Sequence, residues 1–196
     1  MNKFVKNGHL FVRPLKKDIE FNIAEYLKIT PFQSGGVLPE ELHVTIFRSA
    51  FPLVGVVTET NKNYRATVKG CQQWYNPASK TKNIVLILDS PELVERHKDV
   101  AEENKDIYLT TEEKINYVPH MTLAYDIANN THRYRWWFND LANAFNSQDA
   151  FHSGGRYYGM TINFSGEEIE DSIIYEPDNL DTPTKSMSDV VVRPAD

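Results

Sequence analysis

The stretch YVPHMTLAY, residues 117–125, predicts a β-strand with two chemically different faces. Residues two apart in a strand share a face, so His120 and Thr122 project together. The opposite face is apolar and suits a core, with Met121, Leu123 and Tyr125. We expect the imidazole to stand on the open face of this strand rather than to be buried.

An earlier stretch, ELHVTIF at residues 41–47, repeats the arrangement in the same phase. His43 and Thr45 share one face, and the residues between and around them are apolar. A lone strand histidine is commonly a hydrogen-bonded structural residue, but two in-phase His-x-Thr copies favour a functional pair. If the two strands lie side by side, four polar side chains converge on one cleft.

Length and composition indicate one globular domain. The chain has 196 residues, of which 41% are hydrophobic and 24% charged. A net charge of −6 argues against binding to long nucleic acid, which needs a broad basic face. The single cysteine, Cys71, cannot form an intrachain disulfide, and no segment resembles a signal peptide or a membrane span. These features predict a cytoplasmic protein without a membrane partner.

The periodicity along the chain predicts a mixed α+β domain built on antiparallel sheet. Besides the two histidine strands, strands are predicted over residues 9–15, 51–57, 64–74, 83–88, 156–164 and 171–176. Helices are predicted to start at Asp18, at Ser90 with Pro91, and at Thr131. The composition turns polar after this region, so we assign residues 1–176 to the domain and residues 177–196 to a loosely held tail.

Two histidines and two hydroxyls can catalyse cleavage of a phosphodiester. One imidazole can accept a proton from the attacking group while the other donates a proton to the departing oxygen. Threonine hydroxyls can donate hydrogen bonds to the non-bridging phosphate oxygens. The sequence has no HExxH motif and no Cys/His cluster, so we predict no metal site and no cofactor.

Two His-x-Thr motifs in the contexts LHVTIF and VPHMTLAY resemble the two-histidine (LigT-like) phosphoesterase superfamily. The resemblance spans residues 9–175. It implies a two-lobed α+β fold with pseudo-twofold symmetry, helices on the outside and an active-site groove between the lobes. It also implies metal-independent cleavage by the catalytic residues His43, Thr45, His120 and Thr122.

Within that superfamily the chain looks most like the phage anti-CBASS nucleases. That likeness implies hydrolysis of 3′–5′ linkages in cyclic di- and trinucleotide signals of a bacterial immune system, in the host cytoplasm. A terminal 2′,3′-cyclic phosphodiesterase or an oligoadenylate phosphodiesterase of the same superfamily is an alternative. A protein that sequesters a cyclic nucleotide without cutting it is another, although sequestration needs no acid–base pair.

A cyclic oligonucleotide substrate offers bases that aromatic side chains can stack on. Trp74, at the end of the predicted strand 64–74 and the start of the loop that follows, is the first candidate for substrate binding, with Tyr117 and Phe11 as further candidates. Arg48 is offset from His43 by an odd number, which in a regular strand turns it away from the cleft. The remaining histidines are interpreted as structural or surface residues: His9, His97, His132 and His152.

Overall fold

The architecture is an antiparallel sheet flanked by helices. The computed structural model describes residues 4–20, 23, 37–49, 51–53, 55–76, 80–104, 117–127, 132–146 and 155–175. The described strands are β1 (Phe4–Pro14), β2 (Val44–Ser49), β3 (Tyr64–Asn76), β4 (Thr81–Asp89), β5 (His120–Ile127) and β6 (Thr161–Tyr175). The described helices are α1 (Lys16–Glu20), α2 (Pro91–Glu103) and α3 (His132–Phe145), with a short 3-10 helix at Pro39–Glu41.

The strands close into a barrel in the order β1-β2-β5-β4-β3-β6, and every pairing is antiparallel. Long ladders unite β6, β1 and β2 as one half and β3, β4 and β5 as the other. The halves meet along short pairings, β2 with β5 and β3 with β6. The predicted α+β class and two-lobed sheet arrangement are confirmed, and the two sheets join into one barrel.

The two halves repeat one order of elements. In the first half, β1 leads through α1 to β2, and in the second half β4 leads through α2 to β5. Each half is completed by a third strand, β6 or β3. The motif strands β2 and β5 therefore occupy equivalent edges of the two halves and lie next to each other.

Helix α2 follows the sequence signals closely. The Ser90 hydroxyl accepts a hydrogen bond from the Leu93 backbone N–H and donates one to the Arg65 carbonyl, so the helix start is tied to β3. Proline occupies the first helical position, where no backbone donor is needed. The buried face consists of Leu93, His97, Val100 and Ala101.

The predicted strand at residues 51–57 and the predicted start of the first helix are wrong. Residues 51–53 and 55–57 form no strand, because Pro52 and the positive φ of Gly55 interrupt it. Helix α1 starts at Lys16, and the Asp18 carboxylate accepts hydrogen bonds from the backbone and side chain of Asn163 on β6. Thr131 and the predicted tail at residues 177–196 lie outside the described residues.

Strand β6 is continuous where two strands were predicted. Ser165 and Gly166 suggested a turn, but they lie inside the strand that pairs with both β1 and β3. A Cβ atom at Gly166 would collide with the carbonyl oxygen of Thr60. The glycine is therefore required by the close approach of a neighbouring backbone rather than by a turn.

A buried ion pair joins β6 to α2. Arg96 donates to the two carboxylate oxygens of Glu167 at 2.7 and 3.0 Å, and the Glu167 side chain is fully inaccessible to solvent. The Tyr64 hydroxyl and the Glu59 backbone N–H also donate to this carboxylate. Burial alone would raise the pKa of Glu167, but these hydrogen bonds outweigh it and hold that pKa below its usual value.

Replacing Glu167 with glutamine leaves the Arg96 charge without its counter-charge. We expect Glu167→Gln to lower the free energy of unfolding by about 3–5 kcal/mol in urea denaturation at pH 7. The neighbouring Glu168→Gln is the matched control, because Glu168 is exposed and pairs with Arg13 at the surface. Glu168→Gln should lower the free energy of unfolding by no more than about 1 kcal/mol. Equal losses of unfolding free energy in the two variants would contradict a stabilising role for the Arg96–Glu167 ion pair.

The Arg96–Glu167 ion pair also makes the stability of the fold depend on pH. Because the pKa of Glu167 is lower in the folded than in the unfolded chain, its contribution is complete above the ordinary value of 4.5 and is lost as the pH falls. The wild type should therefore lose stability more steeply than Glu167→Gln below that pH. Parallel acid profiles would count against this explanation.

Candidate active site

The two motifs meet where β2 contacts β5. Among the residues that the structure describes, this ladder holds one pair, Val44 opposite Met121, and both side chains are fully buried. Residues on either side of that pair project to the opposite face. His43 therefore faces towards Thr122, and Thr45 towards His120, on a surface that we name the site face.

The register also sets the separation of the two histidines. His43 and His120 are diagonal neighbours across the antiparallel pair, a relation that places residues about 7–8 Å apart. Two imidazoles at that separation can reach opposite sides of one phosphate group. The predicted convergence of the motifs on one face follows directly from the Val44–Met121 pairing.

Both imidazoles are held by equivalent backbone hydrogen bonds. His43 Nδ1 lies 2.8 Å from the Glu41 carbonyl oxygen, and His120 Nδ1 lies 2.8 Å from the Val118 carbonyl oxygen. A carbonyl oxygen only accepts, so Nδ1 must be the donor in each ring. In the neutral state Nε2 then carries the lone pair, and after protonation it carries a proton that it can donate.

The two threonines differ in their surroundings. Thr45 Oγ1 lies 2.8 Å from Nε2 of His9, a residue of β1. Thr122 Oγ1 is buried and has no hydrogen-bond partner among the described residues. Burying a hydroxyl without a partner is unfavourable, so the Thr122 hydroxyl differs from that of Thr45 in having an unused hydrogen-bonding capacity among the described residues.

His120 is more buried than the sequence suggested. Its exposed fraction is 7%, because the Trp74 ring lies with its centroid 4.3 Å from that of the imidazole. The expectation of an openly exposed histidine is therefore wrong for His120, while His43 is half-buried. Strand β5 also begins at His120 itself and not at residue 117, and His43 directly precedes β2.

Trp74 lies within β3, which continues beyond it to Asn76. It shares a face with Gln72, which is opposite Val85, and Val85 is opposite Thr122. This row across three strands brings the indole onto the site face. Its Nε1 donates to the Gln72 side chain at 3.1 Å, which orients the ring beside His120.

Phe11 lies beside the other histidine. It is opposite Thr45 across the β1–β2 ladder, and its ring centroid is 5.3 Å from that of His43. The guanidinium of Arg13 covers the Phe11 ring at 4.9 Å, and the ring is almost fully buried. His43 thus has an aromatic neighbour on β1, the strand next to β2. His120 has one on β3, which β4 separates from β5.

Tyr117 connects the two motifs. Its hydroxyl donates to the Thr45 carbonyl at 2.7 Å, and its ring stacks on His97 of α2 with centroids 4.0 Å apart. His97 in turn donates from Nδ1 to the Ile46 carbonyl at 2.6 Å. The structure therefore gives Tyr117 a positioning contact three residues before His120, in addition to the substrate contact that remains a prediction.

A β-bulge places Arg48 on the site face, contrary to the alternation argument. Leu10 is opposite Phe47 but Phe11 is opposite Thr45, so one extra residue of β2 sits in the ladder. The phase of β2 changes there, and Arg48 comes opposite His9.

His9 is the site residue that the sequence reasoning missed. Its ring centroid lies 5.2 Å from that of His43 and 4.8 Å from that of Phe11. The available signal was its position two residues before Phe11, which places both on one face of β1. Its partner Thr45 is 36 residues away, a distance that no local pattern reveals. The side chain of His132 and all of His152 lie outside the described part.

Within the described ranges, no group of three or more His, Cys, Asp or Glu side chains is placed to hold a metal ion. No helix in the part of the chain described here is long and apolar enough to cross a membrane.

Two solved structures are similar to this chain. The chain resembles the crystal structure of E. coli LigT complexed with 3′-AMP (12% identity, TM-score 0.48, 89% of this chain and 95% of LigT covered). It also resembles Kluyveromyces marxianus Usb1 (13% identity, TM-score 0.41, 87% of this chain and 97% of Usb1 covered). No curated protein matches the chain in sequence.

The profile of the family described as anti-CBASS protein Acb1 matches residues 16–136, a span that includes both His-x-Thr motifs and Trp74. The family resemblance inferred from the motifs is thereby confirmed. The chain belongs to the anti-CBASS protein Acb1 family, and a phosphodiesterase-type hydrolase function goes with that membership.

Proposed function

We propose that this protein is a metal-independent phosphodiesterase that opens 3′–5′ linkages in cyclic di- and trinucleotide immune signals. The observation that carries the proposal is the paired arrangement of His43 and His120. Their Nδ1 atoms are both tied to backbone carbonyls, and they are diagonal neighbours across one antiparallel pair. Family membership supports a cyclic oligonucleotide as the partner and phage counter-defence as the biological role.

The chemistry requires both protonation states of imidazole. One Nε2 takes the proton of the nucleophile, either the adjacent ribose 2′-hydroxyl or water, as the new P–O bond forms. The other Nε2 donates its proton to the ribose 5′-oxygen as the P–O5′ bond breaks. The net proton transfer leaves the two histidines with exchanged protonation states, which solvent restores. If both imidazoles were neutral, no proton would be donated to the 5′-oxygen. If both were protonated, neither could accept the proton of the nucleophile.

The threonines and cations contribute electrostatic stabilisation. The buried Thr122 hydroxyl can donate to a non-bridging phosphate oxygen, which would satisfy its missing hydrogen bond. Arg48, opposite His9 on the site face, supplies positive charge to a protein with a net charge of −6. A few local cations of this kind suit a ligand with two or three phosphates.

The aromatic neighbours favour a nucleotide over a simple phosphate ester. Trp74 is partly exposed beside His120 and offers a ring to a base, whereas Phe11 beside His43 is almost fully buried under the Arg13 guanidinium. Bases stack on such rings without strict sequence preference. Tyr117 completes the predicted set of substrate contacts, although one face of its ring is already stacked on His97.

The first test is chromatography of 3′,3′-cGAMP incubated with the protein in EDTA. We expect cleavage by the wild type and a loss of about 10²–10⁴-fold in rate for either His43→Ala or His120→Ala, because each removes one proton-transfer step. Lys98→Ala, an exposed change on α2, is the control and should cleave normally. An intact ring with the wild type would shift the assignment to a terminal 2′,3′-cyclic phosphate or linear oligoadenylate substrate. Recovery of bound, uncut ligand after denaturation would instead indicate sequestration.

Trp74→Ala tests the base contact separately from the chemistry. Loss of one stacking ring should weaken substrate binding by about 1–3 kcal/mol, which appears as a rise in KM of roughly 5- to 150-fold. Trp136→Ala provides the matched control, since Trp136 is 64% exposed on α3. Steady-state kinetics of both variants on the same cyclic dinucleotide measures the difference. Equal KM values for Trp74→Ala and wild type would argue against stacking at this position.

A further inference from the structure

His9 is placed to control the hydroxyl of Thr45. The residue is 8% exposed, and its Nε2 lies 2.8 Å from Thr45 Oγ1. Its ring meets that of His43 edge to face, at an interplanar angle of 72°. The family match covers residues 16–136, so His9 lies outside the matched span as well as outside the two motifs.

The direction of the His9–Thr45 hydrogen bond decides what Thr45 can do. A threonine hydroxyl has one proton and two lone pairs. If His9 Nε2 accepts, the hydroxyl proton points at His9, and a lone pair is turned to the site face. If His9 Nε2 donates, the hydroxyl proton is available there. Phosphate oxygens of a diester only accept, so only the second arrangement lets Thr45 stabilise the substrate.

We infer that His9 is a positioning residue that donates from Nε2 to Thr45 Oγ1 and thereby directs the Thr45 hydroxyl proton towards the scissile phosphate. This inference rests on the proposed function. The neutral Nε2–H tautomer and the imidazolium both donate from Nε2, so the requirement concerns the position of a proton rather than the charge of the ring.

The comparison with the second motif supports a role of this kind. Thr122 occupies the equivalent position on β5, but its hydroxyl has no protein partner within the described residues. Two otherwise similar halves of the site therefore differ in one respect: Thr45 is oriented before substrate arrives, while Thr122 is not. A donor that is already oriented costs no reorganisation during the reaction.

Four variants separate positioning from packing. His9→Phe keeps an aromatic ring against Phe11 and His43 but removes the donor, and we expect kcat to fall about 10- to 100-fold with little change in KM. His9→Gln restores an N–H donor at a similar reach and should recover most of that loss. In the double variant His9→Phe with Thr45→Val, kcat should be no lower than in Thr45→Val alone, because both changes remove the same interaction.

The outcomes against the inference are distinct from failure of the proposed function. Suppose that the wild type cleaves the ring and that the kcat losses of His9→Phe and Thr45→Val multiply in the double variant. His9 then does not act through Thr45. If wild type cleaves nothing, the function is wrong, and nuclear magnetic resonance decides the inference on its own. Long-range ¹H–¹⁵N spectra of the unmodified protein should show a proton on Nε2 of His9, and a proton on Nδ1 of both His43 and His120. A neutral His9 protonated on Nδ1 would overturn the inference, whether or not the variants fold.

Discussion

The contact between Val44 and Met121 is the constraint on which the site depends. Both side chains are fully buried, so the core fixes which residues of β2 and β5 lie opposite each other. A slip of one residue in either strand would turn its histidine into the core and expose an apolar side chain. Hydrophobic burial on one face of the two strands therefore fixes the relative positions of the polar side chains on the other face.

Next to that contact, a β-bulge in β2 contributes to the site. The bulge in β2 disturbs the ladder near Thr45 and Ile46, and the carbonyls of these residues accept hydrogen bonds from Tyr117 and His97. Unpaired carbonyls in a buried strand are unfavourable, so these side chains satisfy them and, in doing so, link α2 and the entry of β5 to β2. The same bulge moves Arg48 to the site face. One local irregularity thus supports both the placement of the second motif and the positive charge near it.

The sequence predicted features that depend on local order and missed those that depend on pairing between distant strands. The phase of His43 and His120 follows from alternation within one strand, and the start of α2 follows from Ser90 and Pro91. The bulge, the continuity of β6 and the continuation of β3 beyond Trp74 depend on which neighbours the strands acquire on folding. His9 illustrates this limit, since it joins the site only because β1 lies beside β2. Family resemblance supplied the two lobes, but it contains no information about such contacts of the individual chain.

We propose that a single phosphate of a cyclic nucleotide binds between the two imidazoles. A crystal structure of the wild-type protein with a cyclic dinucleotide whose phosphorothioate groups resist cleavage tests this claim most directly. We predict one phosphorothioate group within about 3 Å of Nε2 of both His43 and His120, with a non-bridging atom accepting from Thr122 Oγ1. A ring whose phosphates contact only one histidine, or which binds away from the site face, would contradict the account.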